Sequence, residues 1–284
     1  MAGQLIDDAF KSGEPAVAGT GGTNIVRACP MCSVTSVTPL PQYTTSEWPV
    51  VSCRSCGFVF LREVPGEAAL VENFAWEKTF VAERERREKR AWSGLDKKTR
   101  WRLKFGKVQD RFYRGVTIGK SGNVLDIGCG GSCRLPDGVT PFGIEVSEAL
   151  ARQADEKFRA RGGYVVCAPA RAALDSFADG HFTAMVMRSY LEHEENPGPV
   201  LELAYRKLAP GGAIYVRVPN YGSLNRRIMG AKWCGFRFPD HVNYFTGQSL
   251  RALAAKAGFS YWRRNKASLF DDNLLVVLTR PVQK

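Results

Sequence analysis

An α/β fold, with a parallel sheet wound by helices on both faces, is predicted by three observations. From residue 119 onward, short apolar runs alternate with helix-length amphipathic stretches, the pattern of successive β–α–β units. One of these runs, Asn123–Ile127, carries Asp126 near its end and passes at once into Gly128-Cys129-Gly130-Gly131. Ahead of this region stand two C-x2-C pairs, the mark of a small module of a different kind. The composition suits a globular chain of this type: 284 residues, 44% apolar and 24% charged.

Residues 1–25 read as a flexible leader, because KSGEPAVAGTGGTN is rich in Gly, Ala and Thr and lacks periodicity. Residues 26–66 hold the cysteine pairs, and 67–118 form a basic helical connector. Within it, 76–114 carries 14 Lys/Arg against six Asp/Glu. Acids interleaved through EKTFVAERERREKRAWSGL suit an exposed helix with i,i+4 pairs, packing by Phe80, Trp92 and Trp101. The α/β domain occupies 119–284. Its strands are expected at Asn123–Ile127, 141–145, Tyr164–Cys167, 182–187 and 213–218. A helix over 148–161 would take Ser147 as N-cap and stop at Gly162-Gly163. Others are expected over 199–208, ended by Pro210-Gly211-Gly212, and over 248–257, ended by Gly258. The closing runs 259–263 and Asn273–Thr279 suggest an antiparallel hairpin at one edge of the sheet. CRLPDG, 133–138, leaves little room for a full helix after the first strand.

No apolar run approaches the roughly 18 residues of a membrane span; the longest aliphatic run is 274–278. The N-terminus, MAGQLIDDAF, lacks the basic and apolar regions of a secretory signal. A cytoplasmic setting is expected, with the eight cysteines reduced or metal-bound. The net charge of +12 directs attention to anionic partners.

The stretch NVLDIGCGGSCRLP, 123–136, raises the question of a ligand. In an open α/β sheet, ligands bind beyond the carboxyl ends of strands, where strand order reverses. Asp126 would stand there, and Gly128, Gly130 and Gly131 would let the main chain approach a ligand closely. The dinucleotide fingerprint G-x-G-x-x-G fails, because its third glycine position is Cys133. An acid before the turn also opposes a pyrophosphate. S-adenosyl-L-methionine, with a zwitterionic amino acid end and a positive sulfonium, suits it better. Glu145, at the end of the second strand in PFGIEVS, can accept hydrogen bonds from both ribose hydroxyls.

On these residues, 123–284 resembles the class I S-adenosylmethionine-dependent methyltransferases. VLDIGCG is similar to their first motif and GIEVS to their second. FTAMVMRSYLEHEENP resembles the segment around their fourth strand, and LAPGGAIYVRVPN the turn into their fifth. The resemblance implies a Rossmann-like, doubly wound sheet of seven strands, the last antiparallel. It implies S-adenosyl-L-methionine as cofactor, held by Asp126, Gly128, Cys129, Gly130 and Glu145. Three positions depart from the family: Ser132 stands for a glycine, Ala168 for the acid that contacts adenine, and Thr183 for an Asp opening the fourth strand. They predict an altered or tightened cofactor pocket.

Cys29, Cys32, Cys53 and Cys56, with 20 residues between the pairs, can set four thiolates tetrahedrally around a metal. Structural Zn2+ in a zinc ribbon is expected, with iron the competing metal. The segment is too small for a core of its own, so the metal would supply much of its stability. Cys133, Cys167 and Cys234 show no comparable spacing and read as small buried thiols. No C-x3-C-x2-C occurs, which disfavours radical use of the cofactor.

A sulfonium methyl is already electrophilic, so the protein must align a nucleophile and remove its proton. Of the three histidines, His181 reads as a surface residue before the fourth strand. His193 and His241 are the candidates for general base, with Tyr190 and Glu192 orienting the acceptor; helix capping and backbone pairing are the structural alternatives. Trp233, Phe236, Tyr244 and Phe245 read as core or as pocket wall. Arg188, Arg217, Arg226 and Arg237 would gather at the same end of the sheet and suit a phosphate or carboxylate. The leading reading is a small-molecule methyltransferase with an anionic acceptor, such as a sugar or a phosphate- or nucleotide-bearing metabolite. With its zinc-ribbon head the chain resembles the zinc-containing sugar C-methyltransferases. An RNA methyltransferase ranks second, and a non-catalytic cofactor-binding adaptor third.

Overall fold

The computed structural model describes residues 24–65, 108–265 and 271–282. Leader residues 1–23, residue 66 and the connector as far as residue 107 lie outside the described residues, while Asn24 and Ile25, expected to close the leader, belong to a strand. Five short strands open the described chain: β1 (Asn24–Val26), β2 (Val37–Pro39), β3 (Val50–Cys53), β4 (Val59–Leu61) and β5 (Glu63–Pro65). β1 and β5 pair antiparallel. β2, β3 and β4 form an antiparallel meander whose outer edge is taken by β11 (Asn243–Tyr244), a strand nearly two hundred residues downstream. The front module is thus completed by the domain behind it.

A helical stretch over 108–118 leads into the main sheet. In chain order follow β6 (Asn123–Ile127), β7 (Thr140–Glu145), α1 (Glu148–Arg159), β8 (Tyr164–Cys167), α2 (Ala170–Asp175), β9 (Phe182–Arg188), α3 (Pro197–Lys207) and β10 (Leu208–Pro219). After these come α4 (Leu224–Met229), β11, α5 (Gly247–Lys256), β12 (Ser260–Arg263) and β13 (Asn273–Thr279). The sheet has seven strands in the order β12-β13-β10-β9-β6-β7-β8. β6 to β10 run parallel, and β13 lies antiparallel between β10 and β12. The seven-stranded wound sheet and the terminal hairpin agree with the sequence expectation.

Strand alternation divides the core. Leu125 and Ile127 face α2, α3 and α5 and, on the same side, Cys29, Cys53, Phe58 and Phe60 of the front module. Val124, Ala184, Val186 and Tyr215 face Phe158 of α1 and Ile118. The front module therefore shares the main core, with Phe58 against Phe245 at 5.4 Å between ring centroids.

Several boundaries differ from expectation. Ser147 caps α1 as predicted, accepting from the Leu150 N–H, but the helix stops at Arg159. Arg161 leaves it to bind the loop after β6, donating to the Leu135 carbonyl at 3.0 Å and to the Pro136 and Val139 carbonyls. That loop contains no helix, as its length required. α3 begins at Pro197, because proline is pre-set for the first helical turn. α2, α4 and β11 were not foreseen; α2 and α4 have six residues each and β11 two, too short to show a period.

Candidate functional site

β6 and β9 are neighbours although four elements separate them in sequence, so strand order reverses between them. A crevice at their carboxyl ends follows from that topology. Asp126 is paired in register with Gly143 and Val186 and is buried. Gly128 and Gly130 take φ +72° and +63°, a left-handed backbone that glycine adopts freely. The turn is fixed by the N–H groups of Gly128 and Cys129, which donate to the Ile144 carbonyl at 2.8 and 3.2 Å. Glu145 closes it from the next strand: one carboxylate oxygen accepts from Gly130 N–H at 2.8 Å, the other from Ser147 N–H at 3.1 Å. Burial raises Asp126 to about 6, against the opposing pull of Arg188, Arg114 and Arg134. The Cys129 thiol lies toward Gly143, and burial, with Asp126 and Glu145 nearby, pushes its pKa up, so it stays protonated. Only its main chain is offered to a ligand.

Of the three departures from the family pattern, Thr183 belongs to the far end of the sheet. It is the second residue of β9 and donates to the Asn123 carbonyl at 3.1 Å, so it does not tighten the pocket as expected. Ser132 accepts from exposed Arg134 at 3.1 Å, and Ala168 packs against the main core.

The other half of the crevice is built by the segment after β9. The Tyr190 ring covers the glycine turn: a Cβ on Gly128 would stand 3.4 Å from its Cδ2. Its hydroxyl donates to Glu194. Glu192, His193 and His241 each offer one ligand atom, all within 4.8 Å of one another. The His193 and His241 rings meet edge to face at 4.8 Å. His193 Nδ1 lies 2.7 Å from the Asp240 carbonyl, and His241 Nδ1 2.8 Å from the Gly235 carbonyl. A carbonyl only accepts, so each Nδ1 carries a proton. Burial, then Arg237, lowers His193 to about 4, leaving it neutral at physiological pH. Glu192 is 1% exposed, and its Oε2 has no hydrogen-bond partner among the described residues. Burial raises it to about 8, opposed by a bond from its own N–H and by Arg217 and Arg237. Two imidazoles and a carboxylate are also the donor types of a divalent-cation site.

Three of the four arginines gather as expected. Arg188 and Arg217 are register partners across β9 and β10, and both lie near Asp110, at 3.8 and 4.0 Å. Arg237 acts with Arg217 on Glu192. Arg226 differs: it stacks on Tyr221 at 4.2 Å and donates to the Tyr43 hydroxyl at 2.9 Å. Trp233, Tyr244 and Phe245 are core residues, each at most 1% exposed; Phe236 packs on Trp233 and Tyr244, while Phe245 belongs to the main core. His181 is half-buried beside Phe177 and Asn123, at the amino end of the sheet. Sequence reasoning missed Asp110, Arg27 and Asn243, which carry no local motif.

The four cysteines converge. Cys29 and Cys56 sulfurs are 3.5 Å apart, as are those of Cys32 and Cys53, and Cys32 and Cys56 stand at 3.6 Å. A tetrahedral Zn2+ with about 2.3 Å bonds needs about 3.8 Å between sulfurs, so the set fits. The two knuckles are alike. Ser33 and Gly57 N–H groups donate to the Cys29 and Cys53 carbonyls at 2.8 and 2.9 Å, and both residues take positive φ. At Cys53 burial works to raise the thiol, but the N–H groups of Cys56 and Ser55 and the Cys32 and Cys29 thiols outweigh it and bring it to about 7; at Cys29 and Cys56 burial prevails and pushes the thiols up.

A methyltransferase-domain family profile matches residues 98–263. Among solved structures, a SAM-dependent methyltransferase from Archaeoglobus fulgidus is similar at 19% identity and a TM-score of 0.50, over 62% of this chain and 93% of its own. A second, from Methanosarcina mazei, matches at 18% identity and a TM-score of 0.45, over 59% of this chain and 96% of its own. No curated protein sequence matches. No described helix is long and apolar enough to cross a membrane. The profile spans more than half the chain and covers both the glycine turn and the segment after β9: the chain belongs to the methyltransferase-domain family, as a class I S-adenosylmethionine-dependent methyltransferase.

Proposed function

We propose that the protein methylates an anionic small-molecule acceptor, a sugar or a phosphate- or nucleotide-bearing metabolite, at an atom that must first give up a proton. The observation that carries this reading is the buried Glu192–His193–His241 cluster, with Tyr190 joining it to the glycine turn. When bound, S-adenosyl-L-methionine supplies a methyl group already activated on sulfur. Asp126 holds its ammonium and Glu145 its ribose hydroxyls, while Gly128, Cys129 and Gly130 present main chain. Arg114, Arg134 and Arg188, which surround Asp126, suit the cofactor's carboxylate. Arg217 and Arg237, which act on Glu192, face the acceptor's anion. His193 or His241 takes the acceptor proton at its Nε2, the nitrogen opposite the Nδ1 that each ring bonds to a carbonyl. Tyr190 and Glu192 orient the acceptor over the turn.

In this reading the cysteines hold a structural Zn2+ in the ribbon segment 26–66, followed by a connector over 67–118 and the methyl-transfer domain over 119–284. Four thiolates leave the metal no open position. The test is S-adenosylhomocysteine release from panels of nucleotide sugars, sugar phosphates and RNA, with His193→Gln and His241→Gln variants alongside. Turnover on RNA that weakens steeply with salt would replace the small-molecule reading. Full activity in both variants would remove the proton-transfer assignment.

A further inference from the structure

The front module reaches the acceptor half of the crevice through one buried guanidinium. We propose that Arg27 is a positioning residue for methyl transfer, clamping the segment 191–195 that carries Glu192 and His193. The inference rests on the proposed role of that cluster.

Arg27 lies two residues before Cys29 and is 7% exposed. Its Nη1 donates to the Val242 carbonyl at 3.1 Å and more weakly to the Leu61 carbonyl at 3.5 Å. Its Nη2 donates to the Glu195 carbonyl at 2.6 Å and to Asn243 Oδ1 at 3.0 Å. Asn243, fixed by that bond, turns its amide nitrogen to the Leu191 and Glu194 carbonyls at 3.0 and 2.6 Å. The N–H groups of Val242 and Asn243 both donate to the Glu192 carbonyl, at 2.8 and 3.1 Å. The carbonyls of Leu191, Glu192, Glu194 and Glu195 are therefore all held from one assembly. Its far side is anchored in the front module, where Asn243 and Tyr244 pair with Phe60 and Val59, and Leu61 N–H donates to the Val242 carbonyl at 3.0 Å.

A planar fork is required here, because donors must reach three chain segments in different directions; the point charge of a lysine cannot do this. The bonds that fix the imidazoles arise in the same loop: Asp240 and Gly235, whose carbonyls hold His193 and His241, lie just ahead of β11. Releasing Arg27 frees both the 191–195 segment and the return loop, and the two Nε2 atoms lose their common geometry.

The chain contains only three histidines, so 15N-histidine labelling reads the clamp directly. In Arg27→Gln the imidazole nitrogen shifts of His193 and His241 should leave the Nδ1–H pattern, while those of His181, at the opposite end of the sheet, stay in place. Asn243→Ala, which keeps Arg27, should move the same two residues. S-adenosylhomocysteine affinity by calorimetry should stay within about twofold in both. With an acceptor in hand, kcat should fall by about tenfold or more, since small misplacements at a reacting centre are costly. Unchanged His193 and His241 signals in Arg27→Gln would overturn the proposal. So would a parallel shift of His181, which would make Arg27 a support of the whole fold. The spectra need no acceptor, so an error in acceptor class leaves this test intact. Inactive His193→Gln beside unperturbed Arg27→Gln would sink the clamp alone.

Discussion

The cofactor half and the acceptor half of the crevice are built in opposite ways. Asp126, Gly128, Cys129, Gly130 and Glu145 come from two adjacent strands and the turn after the first, and most of their bonds join residues at most 17 apart in sequence. The acceptor half joins residues near 27, 61, 192 and 243, through bonds such as Arg27 to Asn243 across 216 positions. A local motif fixes the first; only tertiary contact fixes the second. The cofactor half should therefore tolerate damage elsewhere in the fold, and the acceptor half should not.

The largest effect that would sharpen this contrast is on turnover. His193→Gln should lower kcat by about 10²- to 10⁴-fold, the usual worth of a positioned acid or base, with cofactor binding unaltered. Equal loss in both parameters would break the separation. Next comes the metal. Chelation, or Cys53→Ser, should cost several kcal/mol, on the order of 10 °C in Tm, and should depress turnover more than cofactor affinity.

Two pH experiments address one half each. Asp126 sits at about 6 in the ligand-free protein, and a cationic ligand needs it ionised. Cofactor affinity should fall about tenfold per pH unit below 6, and Asp126→Asn should flatten that dependence. Glu192 is raised to about 8 from 4.5, so the folded state holds a proton that the unfolded state releases. Its contribution to stability is complete below pH 4.5, erodes between there and pH 8, and is absent above. Stability should thus decline across that window in the wild type and less in Glu192→Gln. The smallest expected change is Gly128→Ala, costing about 1–2 kcal/mol because φ is +72° and Tyr190 is close.

What could be read in the sequence follows the same division. β6, β8 and β13 were delimited to the residue, because each is a bounded apolar run. The glycine turn and both C-x2-C knuckles are spacing motifs, legible without tertiary knowledge. Asp110 was not legible: its buried carboxylate accepts from Tyr215 at 2.9 Å and lies between two arginines, yet in sequence it is one acid in a basic run. Trp233 was ambiguous for a related reason. Its indole N–H donates to Asp272 at 2.7 Å, and nothing in WCGFRFPDHVNYFT announces that partner. Thr183 is misleading in sequence because a departure from a family pattern reads as a pocket residue, whereas β9 places it at the other end of the sheet.

Two residues, Asn243 and Tyr244, decide what can be exchanged as a unit between proteins of this build. A recombination event that replaced 24–65 alone would remove the strand that mates with β11 and the guanidinium that grips Glu195 and Asn243. One that moved 24–65 together with 191–195 and 235–245 would transplant an intact seam. Chimeras drawn along the second cut should fold and those drawn along the first should not.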